Sequence, residues 1–530
     1  MSSATSTAHR RNIKFLGLTQ NKPGNRNSRA KSCPAPGRTN PVGAVFNRAY
    51  PSPGPLVSGR IAIARPAQEK PMPTQQPNVL WIYGEDLSPD LGCYGTPAVQ
   101  TPNIDRLAAE GTRYTNAFVT CPVCSPSRSA LITGTYQTHF DAHNHRSNRD
   151  KPLRADMKLI TDCFREAGYF TCNSPGPPYN RPGKTDFNFQ RENPFDGVDW
   201  SERAEGQPFY AQINIPDTHR VFKPDSERPV SPDDVALPSY YPDYPLIRKD
   251  WALYLESIQI LDRKVGQILK RLDDEGLADN TLIFFMSDHG RAHIRCKQFL
   301  YDGGIRIPLI VRWPGQIEAG NVSERLVSGV DFAPTTLALA GLNIPDFMQG
   351  QIFLGANASA RDAIFAARDR CDGTDDRIRC IRTHRYKYIR NYHPERPYMQ
   401  FNGYKKQQYP AWTLMPLLAE KGALSSAQQQ FVQPMRPAEE LYDIEVDAFE
   451  VNNLAGDERY ASVREELSAQ LDAWIEKTGD MGETPESTEV ATSWDEHMAA
   501  SFRQAMEKRG LSPDISDAEY VAWWEQQLLS

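Results

Sequence analysis

Apolar and polar positions alternate along this chain in two rhythms, and the rhythm switches repeatedly after residue 77. Residues 78–83 (NVLWIY) are a short apolar run that stops at the polar Gly84-Glu85-Asp86. A run of that length, bounded by a turn, predicts a strand buried on both faces. Residues 209–215 (FYAQINI), 281–287 (TLIFFMS) and 308–312 (PLIVR) read the same way, and the second of these runs directly into Asp288-His289-Gly290. Between them Tyr254, Ile258, Leu261, Val265, Ile268 and Leu272 recur at steps of four and three. That spacing predicts an amphipathic helix over 250–272, followed by an Asp279-Asn280 turn. Helices alternating with buried strands predict an α/β domain over 77–365, a largely parallel sheet sandwiched by helices. Folds of this kind place ligands beyond the strand ends, which marks the two acidic ends at 85–86 and 288–289.

The rhythm changes again towards the C-terminus. In residues 377–392 (RIRCIRTHRYKYIRNY) apolar and basic residues alternate on either side of Thr383-His384, the pattern of a β-hairpin. Residues 440–443 (ELYD) add a strand, and Val463, Leu467, Leu471 and Trp474 mark one amphipathic helix. These elements predict a smaller α+β domain over 366–480. Residues 481–530 read as a helical tail, and no internal repeat is present.

Composition narrows the classes of function. With 530 residues, 39% of them apolar and 24% charged, the chain can build a large core and a smaller one, so two domains are expected. No stretch approaches the length of a membrane-spanning apolar run, and the N-terminus lacks the apolar segment of a secretory signal. The default expectation is cytoplasmic. A net charge of −6 offers no clustered basic surface for nucleic acid. The nine cysteines are odd in number and scattered, unlike a disulfide scaffold. Residues 1–71 differ from the rest: twelve Lys/Arg, one acid (Glu69) and nine prolines give this tail +11 and leave −17 on residues 72–530. A basic, Pro-rich segment of low apolar periodicity is predicted to be disordered to about residue 76. The abrupt onset of pattern after PMPTQQP favours Met72 as the true start, and a transit-like targeting segment is the other reading.

One short stretch, CPVCSPSRSALITG at 121–134, carries more chemistry than its neighbours. A C-x-x-C pair suggests a metal site, a redox pair or a modified nucleophile. Structural zinc needs a second Cys or His pair at comparable spacing, and Cys93, Cys163, Cys172, Cys296, Cys371 and Cys380 supply none. A redox pair wants its first cysteine opening a helix, whereas Pro122 and Val123 intervene here. The helix is predicted to start after Cys124, with Ser125 as its cap and Pro126 in its first turn. Cys124 then sits at a helix N-terminus, where an anion is stabilised.

The run CSPSRSALITG, from Cys124 to Gly134, resembles the signature of the type I, formylglycine-dependent sulfatases of the alkaline-phosphatase superfamily. The likeness extends over about 78–480, through TPNIDRLAAEGTRYTNAF, SDHG, GGIRIPLIVRWPG and ELYDIEVDAFEVNNLAG. It implies an alkaline-phosphatase-like fold and oxidation of Cys124 to formylglycine by a formylglycine-generating enzyme. A hydrated aldehyde carries two hydroxyls on one carbon: one attacks sulfur, and the other loses its proton to expel sulfate and restore the aldehyde. Such chemistry calls for a hard divalent cation held by carboxylates. The resemblance implies Ca²⁺, with Mg²⁺ as the other hard cation, ligated by Glu85, Asp86, Asp288, His289 and residue 124.

The same resemblance assigns further roles. It implies that Arg128 holds the hydrate, and that Lys184 of RPGKTDF, His219 of PDTHR and Lys297, ahead of YDGGIRIPLIV, face the sulfate. Two departures stand out: Glu85 replaces the family's usual Asp, and Asp186 occupies the place of a histidine two residues after the Gly-Lys lysine. The nearest histidines are His139, His143 and His145 in THFDAHNHR. The expectation is that His143 or His145 takes the proton, with Asp186 orienting it or the substrate.

The segments AHNHR, RTHRYKYIRN and ELYD to NNL resemble the heparan N-sulfatase (sulfamidase) branch, which implies a sulfated sugar, such as N-sulfoglucosamine, as substrate. The runner-up is a phosphate-monoester or phosphonate hydrolase of the same superfamily, and a non-catalytic binding protein for sulfated glycans is third. Family analogy also allows a periplasmic or secreted location.

Overall fold

The computed structural model describes residues 76–530, which belong to a single compact unit. The predicted basic tail lies outside the described residues. Seven strands make the main sheet: β1 (Asn78–Gly84), β2 (Thr112–Phe118), β3 (Phe170–Ser174), β4 (Phe209–Ile215), β5 (Thr281–Ser287), β6 (Arg306–Arg312) and β7 (Asn321–Ser328). They run in the order β3-β4-β1-β5-β6-β2-β7. Strand β1 lies parallel to both β4 and β5, with every residue of the three buried. Gly84 pairs with Ser287 across the β1–β5 ladder, so Glu85-Asp86 and Asp288-His289 leave the sheet side by side.

The sheet is mostly parallel, with one exception. Strand β6 runs antiparallel to β5 and to β2. A parallel return needs a long crossover, normally a helix, but the β5–β6 connection contains only the single turn Asp302–Ile305. Its length goes instead into a loop over the strand ends.

The 250–272 pattern lies within a longer helix, Pro245–Asp274, opened by Pro245 at a first-turn position where a missing amide is tolerated. All six predicted apolar positions are buried. On the same helix Asp262 is buried and accepts hydrogen bonds from the Asn103 and Ile104 amides, 3.0 and 2.8 Å away, satisfying the first turn of the Pro102–Ala109 helix.

The second sheet is antiparallel: β8 (Ile364–Arg368), β9 (Ile378–Arg382), β10 (Tyr386–Asn391) and β11 (Glu439–Asp443), in the order β11-β10-β9-β8. The expected hairpin is β9–β10. Leu467, Leu471 and Trp474 of the Ala461–Thr478 helix are buried against this sheet in a cluster that also takes in Ala130, Tyr136 and Val330. The two predicted domains thus share a core. The tail forms two helices, Thr488–Lys508 and Asp517–Leu529, which bury Met498, Phe502, Met506, Tyr520, Val521 and Trp524. Among the described residues no helix is long and apolar enough to cross a membrane. All eight cysteines among the described residues are free thiols.

Candidate active site

The signature helix spans Cys124–Thr133, and all ten of its residues are buried. It starts earlier than its sequence predicts: Val123 is the N-cap residue, and Cys124 is already in the first turn. Pro126 is tolerated there because first-turn amides have no intrahelical acceptor. Ser125 is therefore not a cap. Its hydroxyl accepts from the Arg146 amide at 3.0 Å and lies 3.1 Å from His145 Nδ1.

The helix aims Cys124 at the ends of β1 and β5. Cys124 Sγ lies 3.2 Å from His289 Nε2, which lies 3.0 Å from Asp86 Oδ1. Asp86, Cys124, Asp288 and His289 present ligand atoms all within 4.8 Å of one another. Asp86 adopts a left-handed backbone conformation, φ +52°, which a non-glycine residue occupies at a cost of about 1–3 kcal/mol where surrounding structure holds it. The Asp86 amide donates to Asp288 Oδ1 at 3.1 Å, tying the two strand ends together.

Cations ring these acids. Lys297 Nζ donates to Asp86 Oδ2 at 2.7 Å, Arg128 Nε to Asp288 Oδ2 at 2.9 Å and Lys184 Nζ to Glu85 Oε2 at 3.2 Å. His219 Nε2 stands 3.9 Å from Asp86 Oδ2. Burial disfavours charge on Asp86 and Asp288, but Lys297 and His289 beside the first, and Arg128 and His289 beside the second, hold both carboxyls well below their usual range. Burial lowers His289, yet Asp288 and Asp86 outweigh it and lift the imidazole to about 10. Burial likewise raises the Cys124 thiol, and Lys184, Lys297 and His289 bring it down on balance. The surrounding cations thus favour negative charge on the Cys124 sulfur.

The donor set fits a hard cation. Asp86 Oδ1 is buried with His289 Nε2, 3.0 Å away, as its close polar neighbour and no well-aligned hydrogen bond among the described residues, and the carboxylates of Asp86 and Asp288 supply the oxygens such an ion prefers. His289 Nε2 faces the same point. Glu85 does not: its carboxylate turns to Lys184 and to Arg128, whose Nη2 is 3.6 Å away, and it stands outside the cluster.

The three histidines separate. His139 Nδ1 binds the Thr478 carbonyl at 2.7 Å, and His143 Nδ1 has no hydrogen-bond partner among the described residues and lies 4.0 Å from Asp141 Oδ1. Only His145 stands beside the signature helix, with Nε2 3.8 Å from Asp372 Oδ1. Burial and then Arg146 lower its pKa to about 3, leaving a neutral imidazole. Among the described residues Asp186 makes no hydrogen bond to a histidine: Arg146 Nη2 donates to it at 2.8 Å, Arg149 pairs with it, and Lys184 Nζ lies 3.9 Å away, while His145 is near enough to feel its charge. Although burial opposes ionisation of Asp186, the Arg146 contact keeps its carboxyl ionised.

The sequence reading passed over several residues at the site. Asn214, at the end of β4, accepts from Arg128 Nη1 at 2.6 Å, and Gln298 donates to Asp372 Oδ2 at 2.6 Å. Asn214 was open to prediction, because β4 ends beside β1; the Gln298–Asp372 contact joins segments 74 residues apart and leaves no local signal.

The fold that carries this cluster of acids, cysteine and histidine at its strand ends is alkaline-phosphatase-like. The structural neighbours share that fold. A structure solved with its substrate D-glucosamine-2-N,6-O-disulfate matches with a TM-score of 0.56 at 19% identity, covering 78% of this chain and 100% of that one. The phosphonate monoester hydrolase of Agrobacterium radiobacter matches with a TM-score of 0.55 at 20% identity, covering 78% and 98%. At such identities the likeness shows the fold alone. The chain itself belongs to the sulfatase family and is a sulfuric ester hydrolase. The Sulfatase family model matches residues 77–342, and a model for the C-terminal region of N-sulphoglucosamine sulphohydrolase matches 290–411. An ulvan-active sulfatase of Formosa agariphila is 34% identical over 477 residues, 79% of this chain and 78% of that protein. Human N-acetylgalactosamine-6-sulfatase is 29% identical over 330 residues, 51% of this chain and 63% of that protein.

Proposed function

We propose that the chain removes sulfate from a sulfated sugar, using formylglycine made from Cys124 by a formylglycine-generating enzyme and a Ca²⁺ ion held by Asp86, Asp288, His289 and residue 124. The observation that carries this reading is the convergence of those four side chains, within 4.8 Å, at the N-terminus of the buried signature helix. When bound, the modified residue supplies a hydrated-aldehyde nucleophile and the cation neutralises the sulfate oxygens. Arg128, fixed between Asp288 and Asn214, holds the nucleophile's oxygen in line. Lys184, Lys297 and His219 offer donors to the sulfate and the leaving oxygen, where fixed charge lowers the barrier most.

His145 takes the proton in this reading. Beside Ser125 and facing Asp372, it is held neutral in the free site, and an anionic sulfate bound next to it raises its basicity enough to take a proton, whereas Asp186 is already occupied by Arg146 and Arg149. The sugar is inferred from the relatives, one of which is active on ulvan and another named for N-acetylgalactosamine 6-sulfate. The match to the C-terminal region of N-sulphoglucosamine sulphohydrolase supports a second reading, in which the scissile bond is a sulfamate.

Two measurements test the proposal. The intact mass of the Cys124 peptide, from a host that makes formylglycine, should show the aldehyde; an unmodified cysteine would sink this mechanism. A panel of O-sulfated and N-sulfated mono- and oligosaccharides should then show which bond is cut, and release from none of them would remove the sugar reading.

A further inference from the structure

Tyr404 belongs to a short helix, Gly403–Gln408, far along the chain from the signature. The site's own segments pin this helix at both ends. At its start the Asn402 amide group donates to Gln298 Oε1 at 3.3 Å, and Gln298 follows Lys297 directly. At its end Arg220, the neighbour of His219, donates to the Gln408 carbonyl at 2.7 Å. The residues flanking the two basic groups that face Asp86 therefore fix the position of Tyr404. Its ring centroid lies 5.3 Å from Lys297 Nζ and 6.3 Å from the His219 ring.

The hydroxyl of Tyr404 is buried and has no hydrogen-bond partner among the described residues. A buried phenol normally finds one, because leaving the group unpaired costs about 1–3 kcal/mol. Tyr409 packs behind it, ring centroids 5.8 Å apart; its hydroxyl is also without a partner, but the residue is fully buried, whereas Tyr404 is only half-buried. Of the two, Tyr404 is the one that borders Lys297 and His219 and keeps exposed surface.

We propose that Tyr404 is a substrate-contacting residue whose phenol donates a hydrogen bond to an oxygen of the sulfate ester held beside Lys297 and His219. The inference rests on the sulfate-ester reading of the site but not on the identity of the sugar. Burial pushes the phenol's pKa up and Lys297 lowers it, with burial prevailing, so Tyr404 stays a protonated donor and does not act as a base. The tail has a part in this arrangement. Gly403 admits the Thr488–Lys508 helix so closely that a Cβ there would meet the Met498 carbonyl at 2.8 Å, and Arg509 donates to the Gln407 carbonyl at 2.7 Å.

The test is Tyr404→Phe, which keeps the ring over Lys297 and removes only the hydroxyl, assayed with 4-nitrophenyl sulfate. kcat/KM should fall about ten-fold, mainly through KM, with the Ca²⁺ activation midpoint and Tm unchanged. Tyr404→Ala, which also frees Lys297, should lose kcat as well. A Phe variant within about two-fold of wild type overturns the proposal, as does a loss that tracks a shifted Ca²⁺ midpoint or a lowered Tm. If the wild-type, formylglycine-bearing enzyme released sulfate from neither 4-nitrophenyl sulfate nor the sulfated-sugar panel, the functional reading itself would fall, and this inference with it; if it cut only a sugar, the same variants are compared on that sugar.

Discussion

The floor and the rim of this site are built by different means. The floor, Asp86, Asp288, His289 and Cys124, hangs on the ends of two central strands and one helix N-terminus, and its acids are already matched by Lys297 and Arg128. The rim, represented by Tyr404, Asp372 and His145, stands on short loops and a single-turn helix held by side-chain contacts between distant segments. Backbone ladders fix the first, and long-range hydrogen bonds fix the second. Chemistry common to a family can thus sit on the floor while the rim varies with little cost to the sheet.

The hardest blow to the floor is removal of its cation. Chelation should abolish activity, by more than about a hundred-fold, and Ca²⁺ or Mg²⁺ should restore it where zinc alone does not, because a carboxylate cluster suits hard cations. The chain should remain folded, since Lys297, Arg128 and His289 already balance the acids. Far-UV circular dichroism in the chelated state would reveal a collapse that contradicts this. For the rim, a chain ending at residue 486 loses both tail helices and the buttress under Gly403. Its kcat/KM on 4-nitrophenyl sulfate should drop about ten-fold, with the Ca²⁺ midpoint preserved; a truncated enzyme of full activity would break the comparison.

A smaller effect separates the histidines. His145→Ala should slow the steady state several-fold while leaving a fast first turnover, and His143→Ala should do neither. Equal behaviour of the two in rapid-mixing assays would remove His145 from the proton path. The smallest effect concerns Asp186. Its folded pKa is depressed, so its ion pairs contribute stability above the ordinary carboxyl value of about 4, and that contribution is lost as the pH falls below it. Arg146 and Arg149 are partly exposed, which limits the contribution to about 1–2 kcal/mol. Asp186→Asn should lower Tm at neutral pH and converge with wild type in acid, and a constant Tm gap across the pH range would contradict the ion-pair account.

How far sequence predicts these regions follows the same division. Strands β1, β4, β5 and β6, the β9–β10 hairpin and the long helix each carry their own apolar period, so local pattern is enough to find them. The direction of β6 is not local, because it depends on the β5–β6 loop being used to carry Asp288, His289 and Lys297 over the sheet instead of forming a crossover helix. Adjacent motif residues place the floor. Glu85, Asp186 and His143 drew attention as site residues by position, yet the first faces Lys184 and Arg128, the second is clamped by two arginines and the third has Asp141 as its neighbouring carboxylate. The Gly403–Gln408 helix escaped notice because nothing nearby in sequence reports what anchors it.

The complete enclosure of the signature helix sets an order of events during biosynthesis. Cys124 retains 2% of its exposure, and the nine residues after it are equally hidden. On the proposed formylglycine reading, a modifying enzyme has to reach Cys124 before this helix docks, because the folded chain leaves it no access to the thiol. A molecule folded with its cysteine unconverted would then have to unfold before it could be modified.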